Sequence, residues 1–131
     1  MESTPAKIVI VEDDPLLMRA YHEAIAAKGF TIEMFFNADD AYRAVSEMPK
    51  KPALILSDIM MPKMNGLQFL EKIHDSVELK KIPFVVITSL TQKEHAEKAL
   101  ALGAVAYLVK EQCTMKDLVA KIEEHVLPAT S

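Results

Sequence analysis

Asp58 closes the short apolar run Leu54-Ile55-Leu56-Ser57, and the loop after it carries Pro62 four residues on and Gly66 eight residues on. Three other apolar runs also end in reactive side chains. Lys7 to Val11 ends in Glu12-Asp13, Ile82 to Ile87 in Thr88-Ser89, and Val105 to Val109 in Lys110. Carboxylates brought close together repel one another and raise one another's pKa values unless a cation sits among them. Oxygen ligands without His or Cys suit Mg²⁺, which keeps several waters and takes one or two carboxylates, leaving positions for substrate phosphate. A lysine and a hydroxyl opposite would offset the charge of a phosphoryl group and donate a hydrogen bond to it. A carboxylate held between metal and lysine can itself attack phosphorus, giving an aspartyl phosphate. Taken singly, Asp58 and Thr88 are ordinary turn residues and Lys110 a solvated strand-end lysine. Their coincidence on four run ends is what points to chemistry.

These side chains act together only if the chain brings the run ends to one place. Five short apolar runs alternate with five amphipathic ones. The runs at 7–11, 53–57, 82–87 and 105–109 read as buried strands; Thr31 to Phe36 alternates polar and apolar, which places it at a sheet edge. Asp14-Pro15 opens the first helix and Gly29 stops it. Asn37, with Asp40 three residues on, opens the second, whose stripe is Ala41, Ala44, Val45 and Met48. The third starts at Leu67 and carries Leu70 and Ile73. Thr91 with Glu94 is a capping-box pattern for the fourth, which stops at Gly103. Thr114 with Asp117 opens the fifth, with Leu118, Ile122 and Val126 inward and Pro128 at its end. Strict alternation predicts a parallel α/β sheet with right-handed crossovers and helices on both faces. Its carboxyl-terminal strand ends share one edge, with neighbours about 5 Å apart. Glu12, Asp13, Asp58, Thr88, Ser89 and Lys110 would then share a patch roughly 10 Å across, where open α/β sheets bind ligands.

Composition narrows the partners. The chain reads as one domain, 1–131, with its core at 7–127. A net charge of −4 gives no support for nucleic acid or an anionic membrane as direct partner. Cys113 is the single cysteine, so no internal disulfide forms. No run is long enough to span a membrane, and Met1 to Ala6 lacks the order of a signal peptide. A cytoplasmic location is the expectation. The tail Ala129-Thr130-Ser131 is too short for a linker, leaving a stand-alone module or one part of a longer protein.

Four segments together resemble the response-regulator receiver domain, the family of the bacterial chemotaxis regulator. They are Val11-Glu12-Asp13-Asp14, Ser57-Asp58-Ile59-Met60-Met61-Pro62-Lys63-Met64-Asn65-Gly66, Thr88-Ser89 and Tyr107-Leu108-Val109-Lys110. The resemblance implies a flavodoxin-like, doubly wound sheet of five strands in the order 2-1-3-4-5 with five helices. It implies that Asp58 accepts phosphate, with Mg²⁺, from a sensor histidine kinase or histidine phosphotransfer protein. By matching position, Asp13 holds the metal directly, Glu12 through water, and Asp58 and the Met60 carbonyl complete the protein ligands. Thr88 and Lys110 contact the phosphoryl group, and Tyr107 is the aromatic switch. One departure is plain: Glu111 follows Lys110 where the family usually has proline. A cis bond before a non-proline residue costs about 2.5–4 kcal/mol, so a trans bond is expected.

Function follows as a switch that catalyses only its own phosphorylation and dephosphorylation, as a monomer or a phosphorylation-dependent dimer. Its output face would be the fourth helix, fifth strand and fifth helix, with His95, Lys98 and Lys116 exposed on it. Apolar Met60 and Leu90 should flank the line of attack on phosphorus and slow hydrolysis. An aspartyl-phosphate phosphatase of the haloacid dehalogenase type is the alternative enzyme, but Glu12-Asp13-Asp14-Pro15 does not supply its Asp-x-Asp pattern. A degenerate receiver acting as a scaffold fits poorly with a complete set of Asp13, Asp58, Thr88 and Lys110.

Overall fold

The computed structural model describes residues 5–126. Five parallel strands form one sheet in the order β2-β1-β3-β4-β5. They are β1 (Lys7–Val11), β2 (Thr31–Phe35), β3 (Leu54–Ser57), β4 (Phe84–Thr88) and β5 (Ala106–Val109). Helices α1 (Pro15–Ala26), α2 (Ala38–Glu47), α3 (Gly66–Asp75), α4 (Lys93–Ala101) and α5 (Met115–His125) connect or follow them. Successive strand residues point to opposite faces, and each face has its own core. Ile8, Ile10, Leu54, Leu56, Val85 and Ile87 pack with α1 and α5. Val9, Val11, Ile55, Phe84 and Val86 pack with α2, α3 and α4. The edge position of β2 and the two-sided burial are as the sequence predicts, and the strand order is the one the resemblance implies.

The helix starts are local chemistry. Asp14 accepts from the Leu16 and Leu17 amides with Pro15 at the first position, and Asn37 accepts from Asp40. Thr114 and Asp117 cap each other reciprocally. Three expectations are corrected. The helix after Asp58 begins at Gly66 under an Asn65–Gln68 capping box. α4 begins at Lys93 with Gln92 at its cap and no side-chain cap bond, so Thr91 stands one residue too early to close the expected box with Glu94. β4 starts at Phe84, because Ile82 closes a short 3₁₀ turn at Leu79–Lys81 and Pro83 has no N–H. Strand ends elsewhere shift by a residue. Pro128 and the tail lie outside the described residues.

The loop from β3 into α3 folds back on itself. Met61 and Gly66 both donate their amides to the Ile59 carbonyl, at 3.0 and 2.8 Å. Lys63 takes a left-handed backbone (φ 66°) to turn the chain. A Cβ on Gly66 would overlap the Asp58 carbonyl oxygen and the backbone of Ile59. Glycine is therefore required here for close approach, at a φ that is not itself special. Gly66→Ala is expected to cost about 1–3 kcal/mol of stability, measured by urea denaturation; a variant as stable as the parent would show that the loop can part freely.

Candidate functional site

The strand ends converge as the alternation requires. Carboxylate oxygens of Glu12, Asp13 and Asp58 lie within 4.8 Å of one another. Glu12 and Asp58 are buried, at 1% and 5% exposure, while Asp13 faces out. The Lys110 ammonium joins the two buried members. It donates to Asp58 Oδ2 at 2.8 Å and to Glu12 Oε1 at 3.1 Å. Lys110 opens a 3₁₀ turn, Lys110–Gln112, immediately after β5. The bond to Glu111 is trans, with no cis peptide among the described residues.

Each carboxylate is also held by backbone. Asp58 Oδ1 accepts from the amides of Ile59 at 2.6 Å and Met60 at 3.2 Å. Glu12 Oε2 accepts from the Asp14 amide at 3.1 Å. Burial pushes the Glu12 carboxyl up to about 7; the charge of Asp58 adds to this, and the Asp14 amide and Lys110 oppose it. Burial works against the Lys110 ammonium, but the bonds and charges of Asp58 and Glu12 outweigh it and raise its pKa above the ordinary value. An all-oxygen donor set at this spacing fits a hard divalent cation.

Thr88 is fully buried at the end of β4, and its hydroxyl accepts from the Leu90 amide at 3.4 Å. Tyr107 donates its hydroxyl to the Leu90 carbonyl at 2.9 Å. Burial raises the Tyr107 pKa, with a further push from Asp58. Met60, 58% exposed, and Leu90 line one groove with Met61, Pro62 and His95. Two expected placements differ. The Ser89 hydroxyl donates to Glu111 Oε2 at 3.2 Å, tying β4 to the β5 turn without joining the acidic cluster. His95 is half-buried in the groove, and its Nδ1 is the one buried side-chain nitrogen or oxygen without a partner among the described residues. Lys98 and Lys116 are exposed as expected.

A profile of the response regulator receiver domain matches residues 8–123. The chain belongs to that family. It is 32% identical over 106 residues to the polar-differentiation response regulator DivK of Brucella anthropi, covering 81% of this chain and 85% of that protein. It is 33% identical over 124 residues to the transcriptional regulatory protein PdtaR of Mycobacterium tuberculosis, covering 92% of this chain and 57% of that one. It spans half or less of the length of several other curated relatives. Among solved structures, a CheY-like receiver domain protein from Methanospirillum hungatei superposes with a TM-score of 0.85, at 26% identity and 94% of both chains. The chain is therefore a phosphoryl-accepting signalling switch of the two-component type, a class that receives phosphate from histidine kinases. Among the described residues, no helix is long and apolar enough to cross a membrane.

Removing the lysine should expose how much the receiver depends on it. In metal-free buffer Lys110→Met leaves Glu12 and Asp58 facing each other, at an expected cost of about 1–3 kcal/mol. Adding Glu12→Gln should recover part of that loss by chemical denaturation. A Lys110→Met protein as stable as the parent would mean the shared ammonium contributes nothing.

Proposed function

We propose that Asp58 is the phosphoryl acceptor, that Mg²⁺ is the cofactor, and that Thr88 and Lys110 bind the transferred group. The observation that carries this is the shared lysine: Lys110 holds Asp58 Oδ2 at 2.8 Å at the edge of a three-carboxylate cluster. Asp13 would hold Mg²⁺ directly, Glu12 through water, with Asp58 and the Met60 carbonyl completing the protein ligands. Bound there, Mg²⁺ supplies positive charge to phosphoryl oxygens.

The chain's own part is positioning. The amides of Ile59 and Met60 fix the Asp58 carboxylate. Lys110 stands ready to bond a phosphoryl oxygen, and Thr88 has a hydroxyl proton free to donate to another. Transfer makes the bond from the Asp58 oxygen to phosphorus and breaks the bond from phosphorus to the donor, a histidine of a sensor kinase or phosphotransfer protein. Drawing Thr88 toward the phosphoryl group withdraws its oxygen from the Leu90 amide, which biases Tyr107 and the α4–β5–α5 face. Receiver domains of this kind turn over only their own acyl phosphate, so we assign no activity on free substrates. The absence of an Asp-x-Asp pattern on β1 counts against the haloacid dehalogenase type.

Incubation with acetyl phosphate and Mg²⁺ should label the parent once and leave Asp58→Asn unlabelled, with no labelling when Mg²⁺ is withheld. In the same samples, amide resonances across residues 91–121 should shift together with those around Asp58. Equal labelling of Asp58→Asn, or shifts confined to the loop at Asp58, would defeat the respective halves of this reading.

The lifetime of the phosphorylated state follows from the groove. Hydrolysis needs a water in line with the bond to Asp58. Met60, two residues after Asp58, and Leu90, two after Thr88, line one groove and offer no side-chain group that accepts a proton or orients a water. Losing an oriented water slows a step that depends on positioning. Slow self-dephosphorylation is expected, and Met60→Asn with Leu90→Glu should release phosphate faster once donor is removed. A rate unchanged or slower in that double variant would show that these two side chains do not control water access.

A further inference from the structure

Tyr21, on α1, belongs to none of the motif segments and has no part in the chemistry above. It is 2% exposed and packs in the α1/α5 core with Met18, Ile25 and Leu118. Phenylalanine would fill that space without bringing a hydroxyl that must be satisfied. Among the described residues the Tyr21 hydroxyl forms no hydrogen bond to protein, yet it is not sealed off, since His95 Nδ1 is the one side-chain polar atom that is both buried and unpartnered. The open space beside Tyr21 is a cleft of about 70 Å³ lined also by Leu17, Lys110, Cys113 and Thr114. A single water needs about 10–15 Å³ of such volume and at least two polar partners. The cleft supplies both.

The other polar partner is the lysine that organises the site. An ammonium has three N–H donors; Lys110 gives one to Asp58 and one to Glu12, leaving a third. The backbone beneath it is loosely tied. Its 3₁₀ turn has no side-chain cap bond, and the bond from the Cys113 amide to the Lys110 carbonyl is 3.4 Å long. Electrostatically the hydroxyl senses that end of the cluster. Burial raises its pKa to about 12, and Lys110 is the largest charge acting on it, ahead of Glu12 and Asp58.

We propose that Tyr21 is a positioning residue for phosphoryl transfer: its hydroxyl accepts from a water in this cleft, which in turn accepts the third N–H of Lys110 and fixes how the ammonium faces Asp58. The tyrosine braces the lysine through that water, while Asp58 and Glu12 hold its other two N–H groups. The inference rests on reading Asp58 as the acceptor.

Tyr21→Phe keeps the ring and removes the hydroxyl. Phosphorylation by acetyl phosphate at saturating Mg²⁺ should fall about three- to tenfold in maximal rate, the size of one lost hydrogen bond. Half-saturation by donor and affinity for Mg²⁺ should not change, which a merely structural defect would not respect. On unphosphorylated protein with ¹⁵N-labelled lysine, the Lys110 ammonium signal should shift and exchange protons faster. An unchanged maximal rate overturns the proposal whatever the signal does. A slower rate with an unmoved Lys110 signal overturns it too, because Tyr21 would then act by another route. Failure of the parent to be labelled at Asp58 would instead refute the acceptor assignment, and the ammonium signal would still report whether Tyr21 braces Lys110.

Discussion

One ammonium shared between two buried carboxylates is the constraint on which the rest of this receiver depends. Glu12 and Asp58 come from different strands and are removed from water together. Desolvated like charges are costly unless a counter-charge sits within hydrogen-bond distance. Lys110 meets that demand from a third strand. A parallel sheet ordered 2-1-3-4-5 is what puts these three carboxyl-terminal ends on one edge. The site is therefore balanced but not saturated. The raised Glu12 pKa reflects burial first, with the charge of Asp58 adding to it.

The sheet also separates two tasks. On the α1/α5 side, Tyr21, Leu118 and Ile122 make a packed layer beneath Lys110. On the α2/α3/α4 side, Leu90, Tyr107 and Met64 are only partly buried against the core. α4 is the most weakly started helix, with no side-chain bond at its cap. A packed layer on one face and a weakly capped helix on the other is the arrangement that the proposed switch at Thr88 would use.

Legibility in the sequence followed the strength of the local signal. The edge strand and the acidic cluster were readable because a continuous apolar run that stops at Asp or Lys marks a strand passing from core to sheet edge; the strand order came from the resemblance to the receiver family. The Thr114–Asp117 box and Asp14-Pro15 start were readable because capping is chemistry between near neighbours. Thr91–Glu94 looked the same and failed, since the Leu90 peptide is held by Thr88 and Tyr107 and α4 begins two residues beyond Thr91. Long-range side-chain choices left no trace in spacing. Ser89 bonding Glu111, His95 turning into the groove, and Tyr21 opening onto Lys110's cleft each depend on which helix lies beneath which strand.

Under the proposed role of Asp58, the coupling from acceptor to output would run through one residue. Leu90 is gripped at both ends: its amide donates to Thr88 Oγ1 at 3.4 Å, and its carbonyl accepts from Tyr107 at 2.9 Å. The first bond is long and weak, the second short and favourable. Thr88 is the side chain that a group on Asp58 would recruit, so the weaker grip is the one under chemical control. Once it is released, the Ser89–Leu90 peptide would be free to turn, and the Leu90 backbone would pass that turn to the next peptide, whose carbonyl Tyr107 holds. The tyrosine must then follow or break its bond, and either outcome changes the surface between α4 and β5. A lever of this kind needs no long pathway through the core. Its three members are two residues apart in sequence or adjacent across β4 and β5, where Thr88 lies beside Val109 and Val86 beside Tyr107. In the proposed switch, bond geometry at Leu90 would govern the signal, and the apolar side chain of that same residue lines the groove it shares with Met60.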